Sequence, residues 1–202
     1  RLQGPNLWPE HPVAFRSAFE NWDRELSSVG LRLLRHWAVS LGAAEGHFDD
    51  AFADRPATLI KVVRYPGTAD TTQGVGAHKD SGVLTLLLVE PDSAGLQVEL
   101  GPDRWVDVPP LPGAFIVNIG ELLEVATGGY LRATRHRVQS PKPDTDRVSI
   151  PYFLNPALDA LVPIITLPPE LAALSRGVEA DPDNPIFNTY GEFMRLDDGR
   201  AI

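Results

Sequence analysis

The sequence predicts a mainly β domain with flanking α-helices, whose strands pair in antiparallel fashion to form a sandwich or barrel. Two observations favour this class. Short β-patterned runs follow one another from residue 58 to residue 153, separated by turn-forming segments, and no long helical pattern lies between them. A jelly roll fits this arrangement of short strands.

A helical pattern precedes the strands, over residues 12–42. Apolar residues recur there at intervals of three and four, as on the buried face of an amphipathic helix, and Gly42 stands where a helix would end. These apolar residues are Phe15, Phe19, Trp22, Leu26, Val29, Leu33 and Trp37. The helix is therefore expected to pack this face, with its aromatic rings, against another element.

The predicted strands begin at residue 58, where the apolar pattern changes from a helical to a β type. The run at 83–90 is almost continuously apolar, as expected for a strand buried on both faces. The strands are TLIKVVRY (58–65), VLTLLLVE (83–90), LQVEL (96–100), WVDV (105–108), AFIVNIG (114–120), a strand around His136, and RVSIPYF (147–153). A short helix is expected at 121–125, and a further strand, a Pro-rich turn and a short helix are expected after residue 156.

Length and composition indicate one globular domain and disfavour several classes of function. The 202 residues, 43% of them hydrophobic, are enough for one compact core. The net charge of −9 disfavours binding to nucleic acid or to an anionic membrane surface, and no apolar run reaches the ~20 residues that span a bilayer. The sequence has no cysteine, so no disulfide is expected, and a cytoplasmic location is predicted.

A histidine and an acid with metal-ligand spacing stand just before the most apolar strand. His78 and Asp80 are two residues apart, so on an extended chain they project to the same side, while Lys79 would point back out to solvent. The pair His47 and Asp49 has the same spacing but lies in a segment typical of a helical turn or loop. Residues two apart on a helix diverge by roughly 200°, so this second pair is not expected to chelate a metal.

A third ligand is predicted at His136, far enough along the chain for several strands to return to the same site. Two histidines and one carboxylate form the facial triad that holds non-haem Fe(II) and leaves coordination positions open for oxygen chemistry. The sequence therefore predicts an iron site of His78, Asp80 and His136.

Arg147 and Ser149 form another pair two residues apart, within the last predicted strand. A guanidinium can bind both oxygens of a carboxylate, and the serine hydroxyl can add a further hydrogen bond. A dicarboxylate that chelates the metal at one end could therefore be held by Arg147 and Ser149 at the other end.

Five motifs in this order resemble the iron(II) and 2-oxoglutarate-dependent dioxygenases of the isopenicillin N synthase-like superfamily. They are His78-x-Asp80, GLQV at 95–98, NIG at 118–120, His136 and Arg147-x-Ser149. The resemblance is dense over residues 59–156 and looser towards the C-terminus. It implies a single catalytic domain with a helical segment at 12–42, a double-stranded β-helix core (a cupin-like jelly roll) at 58–156, and a C-terminal helix and loop at 157–202.

The resemblance also implies a cofactor set and a reaction. Fe(II) would be bound by His78, Asp80 and His136, and 2-oxoglutarate would chelate it while Arg147 and Ser149 bind the distal carboxylate. Dioxygen would take the remaining position. The expected reaction oxidises a C–H bond of a small-molecule substrate, most often by hydroxylation, and releases succinate and CO2.

Four further positions carry expectations, three of them from the family and one, Phe153, from the strand period of two that sets it on the same face as Arg147 and Ser149. Tyr65, before a proline, is expected to face the iron pocket and to contact the cosubstrate or a substrate carboxylate. Phe153 and Tyr190 are candidate substrate contacts. Glu121 stands where the family more often has aspartate, and it is not expected to bind the metal. Family members usually carry an additional N-terminal segment before a stretch like GPNLWP at 4–9, and this part of the family domain is expected to be absent here.

Three other interpretations of the motifs stay open at this point. An oxidase like isopenicillin N synthase keeps the iron ligands and the Arg-x-Ser pair but uses no 2-oxoglutarate. A zinc or nickel hydrolase or isomerase on a cupin-like barrel would share the metal ligands, but it has no role for Arg147 and Ser149. A jelly roll that only binds a ligand would keep its function when His78 is replaced by alanine.

Overall fold

Two antiparallel sheets enclose a cavity in the computed structural model, which describes residues 4–67, 73–178 and 195–196. The helices are α1 (Phe15–Ser40), α2 (Asp49–Phe52), α3 (Glu121–Ala126) and α4 (Pro169–Ala172). The strands are β1 (Leu59–Ile60), β2 (Val63–Pro66), β3 (Gln73–His78), β4 (Leu84–Val89), β5 (Leu96–Glu99), β6 (Trp105–Asp107), β7 (Ile116–Ile119), β8 (His136–Gln139), β9 (Asp146–Leu154), β10 (Leu161–Val162) and β11 (Arg195–Leu196).

The order of strands confirms the predicted fold class. One sheet has the order β1-β9-β4-β7, with β2 also paired to β9, and the other has the order β3-β8-β5-β6. Every pair in these two sheets is antiparallel, whereas β10 and β11 form a small parallel pair. Among the described helices, none is both long enough and apolar enough to cross a bilayer.

Helix α1 lies against the five-stranded sheet and buries a narrower stripe than the sequence pattern indicates. Its buried residues recur every fourth position, at Leu26, Gly30, Leu34 and Ala38. Four of the predicted stripe residues, Trp22, Val29, Leu33 and Trp37, are only partly buried at its flank. The first two, Phe15 and Phe19, stack on each other with ring centroids 4.6 Å apart, and both contact the ring of Trp8.

A glycine in the middle of α1 lets the helix approach the sheet closely. A Cβ atom at Gly30 would lie 2.6 Å from a methyl carbon of Leu154 on β9 and 3.5 Å from one of Leu84 on β4. Glycine in a helix interior costs about 1 kcal/mol relative to alanine. Close packing on two fully buried leucines gives a reason for the glycine at this position.

The predicted strand at 58–65 is divided in two at Lys61 and Val62, although both parts pair with β9 and the Lys61 amide still donates to the Pro151 carbonyl over 3.1 Å. The apolar run at 83–90 forms β4, which lies between β7 and β9 and is buried along nearly its whole length, as predicted. The position of Tyr190 falls outside the described residues.

A buried hydrogen bond joins α1 to β9. The hydroxyl groups of Ser27 and Tyr152 are 2.6 Å apart, and Tyr152 is fully buried. Burial raises the pKa of the Tyr152 phenol to about 12, because a phenolate in this core would lose its hydration.

Replacing Tyr152 with phenylalanine should destabilise the fold at neutral pH but flatten its alkaline stability profile. The lost hydrogen bond costs about 1 kcal/mol of unfolding free energy. The unfolded phenol ionises near pH 10 and the folded one near pH 12. Wild-type stability therefore falls by roughly 2 to 3 kcal/mol across this window, and the Tyr152→Phe variant lacks that loss. Denaturant titrations at pH 8, 10 and 12 measure the difference; parallel profiles would contradict it.

Candidate metal and cosubstrate site

Two histidines that line the cavity meet across neighbouring strands. His78 ends β3, His136 begins β8, and the register of these strands sets the two residues directly opposite each other. Directly paired residues on antiparallel strands have Cβ atoms about 5 Å apart and project to the same face. The imidazole centroids accordingly lie 4.3 Å apart.

The third member, Asp80, lies beyond the end of β3, in the loop that leads to β4. Its Oδ1 atom is 3.7 Å from the Nε2 atoms of both His78 and His136. Its other oxygen, Oδ2, accepts a hydrogen bond of 2.7 Å from the Thr85 hydroxyl, and the Asn118 amide lies 3.5 Å away. The carboxylate is thus held with one oxygen towards the imidazoles.

Hydrogen bonds at the far side of each ring orient the two imidazoles. His78 Nδ1 lies 2.8 Å from the Gly76 carbonyl oxygen, and His136 Nδ1 lies 3.0 Å from that of Thr134. A carbonyl only accepts, so Nδ1 is the donor in each of these hydrogen bonds, and Nε2 is the ring nitrogen that faces Asp80. Ligating histidines in metal sites are oriented in this way.

The three side chains fit a divalent metal. One ligand atom from each of His78, Asp80 and His136 lies within 4.8 Å of the others. Asp80 and His136 are buried, while the His78 side chain is 25% exposed, so the cluster is approached from the His78 side. Two imidazoles and a carboxylate on one side of the cavity match the donor set and open geometry of a facial triad.

Lys79, between the candidate ligands His78 and Asp80, is not placed as the sequence predicts. Lys79 was expected to point out to solvent, but it is buried and its Nζ lies 3.1 Å from Oε2 of Glu124 on α3. Asp80 leaves the strand, so strand alternation does not apply to this segment. The prediction for Lys79 was therefore wrong. Its buried ion pair connects α3 to the ligand loop, the segment at 79–83 that carries Asp80 between β3 and β4.

The beginning of α3 also contacts the ligand loop through the backbone. The Glu121 amide donates to the Asp80 carbonyl over 2.7 Å, and the Gly120 amide donates to the Val83 carbonyl over 3.0 Å. A Cβ atom at Gly120 would collide with the Gly82 carbonyl oxygen. The NIG motif therefore ends in glycine because the ligand loop passes directly over it.

The carboxylate of the second histidine and aspartate pair, His47 and Asp49, binds an arginine. Asp49 begins α2 and forms two hydrogen bonds of 3.0 and 2.9 Å with Arg35. Among the described residues, His78, Asp80 and His136 are the group of three that can hold an ion.

Arg147 is a buried cation whose hydrogen-bonding capacity is largely unused. It is 1% exposed, and its Nη1 donates a long hydrogen bond of 3.4 Å to the Ser149 hydroxyl. Its Nε and Nη2 atoms are buried without a hydrogen-bond partner. Burial lowers the pKa of the guanidinium, since its charge has lost its hydration. Such a group is matched by an anionic ligand.

Tyr65 is brought to Arg147 by the register of β2 and β9, which pairs the two residues directly. The guanidinium carbon lies 4.9 Å from the centroid of the Tyr65 ring, so the ring face contacts the cation. The same register pairs Val63 with Ser149. The predicted group of Tyr65, Arg147 and Ser149 therefore lies together on one wall.

One cavity of about 300 Å³ contains both groups. Alternate residues of β9 form one wall of it, at Arg147, Ser149, Pro151 and Phe153, so Phe153 lies where strand periodicity places it. The remaining lining residues are Lys61, Val63, Tyr65, Val75, His78, Asp80, Thr85, Leu87, Leu96, Asn118, His136 and Val138. A metal and a small dicarboxylate could therefore share one chamber.

A comparison with known protein families identifies the family to which the chain belongs. Residues 57–156 match the model of the 2OG-Fe(II) oxygenase superfamily. The chain belongs to this superfamily. The match covers every strand from β1 to β9, and it includes all three candidate metal ligands and the Arg147 wall. The predicted family and the double-stranded β-helix core are thereby confirmed.

Individual relatives agree with the family assignment. The chain is 32% identical to Homoarginine-6-hydroxylase 2-ODD-C23.1 of Arabidopsis thaliana, over 80% of this chain and 50% of that protein. The structure of JOX2 in complex with 2OG, Fe and JA superposes with a TM-score of 0.74 at 29% identity, covering 96% of this chain and 56% of JOX2. A 2OG-Fe(II) oxygenase family protein from Caulobacter crescentus gives a TM-score of 0.73 at 28% identity, covering 92% and 61%. The chain spans about half the length of the curated relatives it matches.

Sequence reasoning missed three polar residues that line the cavity. Thr85 is the one hydroxyl-bearing residue in the apolar run of β4. A single polar residue in an otherwise apolar strand could have indicated a role in the site. Asn118 belongs to a motif that was recognised, but no role was assigned to it. Lys61 lies in a run that looks like ordinary strand, so only the structure shows that it lines the cavity.

Removing the Thr85 hydroxyl should weaken metal binding while leaving the fold intact. In a Thr85→Val variant, the Asp80 carboxylate loses its short hydrogen bond, and the affinity for Mn(II) or anaerobic Fe(II) should fall by about 10-fold or more, as expected when such supporting groups are removed. Isothermal titration calorimetry measures the affinity. A Thr85→Ser variant keeps the hydroxyl and should bind metal nearly as the wild type does. Equal affinities for the valine and serine variants would refute this role.

Proposed function

We propose that this oxygenase is an Fe(II) and 2-oxoglutarate-dependent dioxygenase that oxidises a C–H bond of a small molecule, most often by hydroxylation. The observation that carries the proposal is that a three-residue metal cluster and a buried, largely unpaired guanidinium face the same 300 Å³ cavity. A cytoplasmic location, predicted from the acidic, cysteine-free sequence, is part of the same proposal.

In this proposal, His78, Asp80 and His136 would hold the iron. The donor set supports this assignment, because two neutral imidazoles and one carboxylate suit Fe(II) and occupy one side of its coordination sphere. Thr85 and the carbonyls behind the imidazoles keep the ligand atoms directed into the cavity. The ligands are therefore arranged before the metal arrives.

Arg147, Ser149 and Tyr65 would bind the distal carboxylate of 2-oxoglutarate. The guanidinium has two buried nitrogen atoms without partners, and a carboxylate can accept from both in the bidentate geometry that arginine favours. The Ser149 hydroxyl can donate a third hydrogen bond, and the Tyr65 ring limits the movement of the guanidinium. Binding an anion here also offsets the cost of the buried cation.

Iron, 2-oxoglutarate and dioxygen supply the oxidising chemistry when bound, with succinate and CO2 as by-products. The side chains of the protein position the cosubstrate and exclude water from the site. The cavity walls between the metal ligands and Arg147 are largely apolar, with Val75, Leu87, Leu96 and Val138 among them. Such walls strengthen the electrostatic contacts to the cosubstrate and keep solvent from the reacting centre.

Coupled measurement of oxygen uptake and succinate release tests the proposed activity. The iron-loaded protein with 2-oxoglutarate should form one succinate for each oxygen molecule consumed. Oxygen consumption that is independent of 2-oxoglutarate would instead support an oxidase like isopenicillin N synthase.

Replacing Arg147 should separate cosubstrate binding from metal binding. In an Arg147→Met variant, the affinity for 2-oxoglutarate should fall by about 100-fold, within the 2 to 5 kcal/mol typical for loss of one partner of a buried ion pair. Metal affinity should change less than twofold. The stability of the ligand-free protein should not fall, since the variant removes an unpaired buried charge.

Titration calorimetry with Mn(II), then with 2-oxoglutarate, measures both affinities, and thermal unfolding measures the stability. An Arg64→Met variant is the matched control, because Arg64 precedes Tyr65 on β2 but its side chain is 65% exposed and pairs with Asp146 outside the cavity. Equal losses of metal and 2-oxoglutarate affinity in Arg147→Met would count against the assignment.

A further inference from the structure

A second cation lines the chamber at the end opposite to Arg147. Lys61 lies in the break between β1 and β2, where its amide donates to the Pro151 carbonyl over 3.1 Å. Its side chain lines the cavity, and Nζ lies 5.3 Å from the centroid of the Phe153 ring. The ammonium is therefore placed over an aromatic wall of the chamber.

The spacing along β9 separates the two cations. Arg147 and Phe153 are six residues apart on one strand face, which corresponds to roughly 20 Å between their Cα atoms. The metal cluster lies towards the Phe153 end, because Thr85, which binds Asp80, is the strand partner of Phe153. A molecule that contacts Lys61 and Phe153 therefore lies beside the metal cluster without occupying the Arg147 site.

Lys61 is an exposed residue, so its ammonium is hydrated and accessible to an incoming ligand, and no charge of the loaded chamber is left to pair with it. The two positive charges of Fe(II) and the one of Arg147 are balanced by Asp80 and by the two carboxylates of 2-oxoglutarate. Asp80 is the one acidic residue among those that line the cavity in the described part of the chain. Within residues 4–67 and 73–178, no carboxylate forms an ion pair with Lys61. A substrate carboxylate that lies over Phe153 could therefore pair with the accessible ammonium of Lys61.

We propose that the substrate is a small organic anion, a monocarboxylate with an apolar body, and that Lys61 binds its carboxylate. The inference rests on the proposed function of the same site. The apolar body would lie against Phe153, whose strand partner Thr85 binds Asp80, so its C–H bonds would lie beside the metal ligands. Lys61 and Phe153 together then determine which molecules are oxidised and at which carbon.

The test uses protein loaded with Zn(II) and 2-oxoglutarate, so that ligands bind without turnover. The probes are small carboxylic acids, each with its own primary amide as a neutral match, with 3-phenylpropanoate and 3-phenylpropanamide as the first pair. Ligand-observed NMR titration gives the dissociation constants, and the signals of 2-oxoglutarate show that it stays bound. Acids should bind about 10-fold more tightly than their amides, a preference of about 1.4 kcal/mol, and higher salt should reduce it.

Three variants assign this preference to Lys61. Lys61→Met keeps the aliphatic stem and removes the charge, so the acid preference should fall below about twofold, whereas Lys61→Arg should retain most of it. Lys142→Met removes an exposed lysine that does not line this cavity and should behave as the wild type does.

Two results would overturn the inference. Amides that bind as tightly as acids to the wild type would show that Lys61 only packs on Phe153. If the Lys61→Met variant still binds acids more tightly than amides, another group is responsible for the preference. If 2-oxoglutarate itself does not bind the zinc-loaded protein, the proposed function fails instead, so the two failures are distinguishable.

Discussion

The hydrogen-bond register between β3 and β8 is the constraint on which the metal cluster depends. It sets His78 opposite His136, so the two imidazoles share one face of the sheet. A slip of one residue would turn one ring to the outside, because side chains alternate along a strand. Strand β8 is also paired on its other edge, where Val98 lies opposite His136. With partners on both edges, β8 has little freedom to shift.

The site concentrates groups that do not favour folding by themselves. A buried Arg147 without partners for two of its nitrogens costs free energy, and so does the burial of the Asp80 carboxylate. The apolar core between α1 and the five-stranded sheet offsets these costs, with Leu34, Leu84 and Leu154 almost fully buried. Separate parts of the fold thus supply stability and function, and ligands that bind the site should stabilise the protein further.

The fold class and most element positions could be predicted from the sequence, because local signals determine them. The apolar run of β4 and the alternation in β9 each specify a strand, and on β9 the alternation alone places Phe153 on the same face as Arg147. Which strands become neighbours could not be predicted, since pairing depends on contacts between distant segments. For the same reason the buried ion pair of Lys79 with Glu124 was missed: local alternation predicts an exposed lysine, and only the packing of α3 on the ligand loop brings the glutamate to it.

The central claim is that three side chains from separate segments hold one metal ion while Arg147 anchors a keto diacid across the same chamber. A crystal structure determined anaerobically with Fe(II) and 2-oxoglutarate tests it most directly. The account predicts iron bonded to Nε2 of His78 and His136 and to a carboxylate oxygen of Asp80, with the distal carboxylate of the bound acid on the guanidinium. Iron bonded elsewhere, or a bound acid whose distal carboxylate lies away from Arg147, would contradict it.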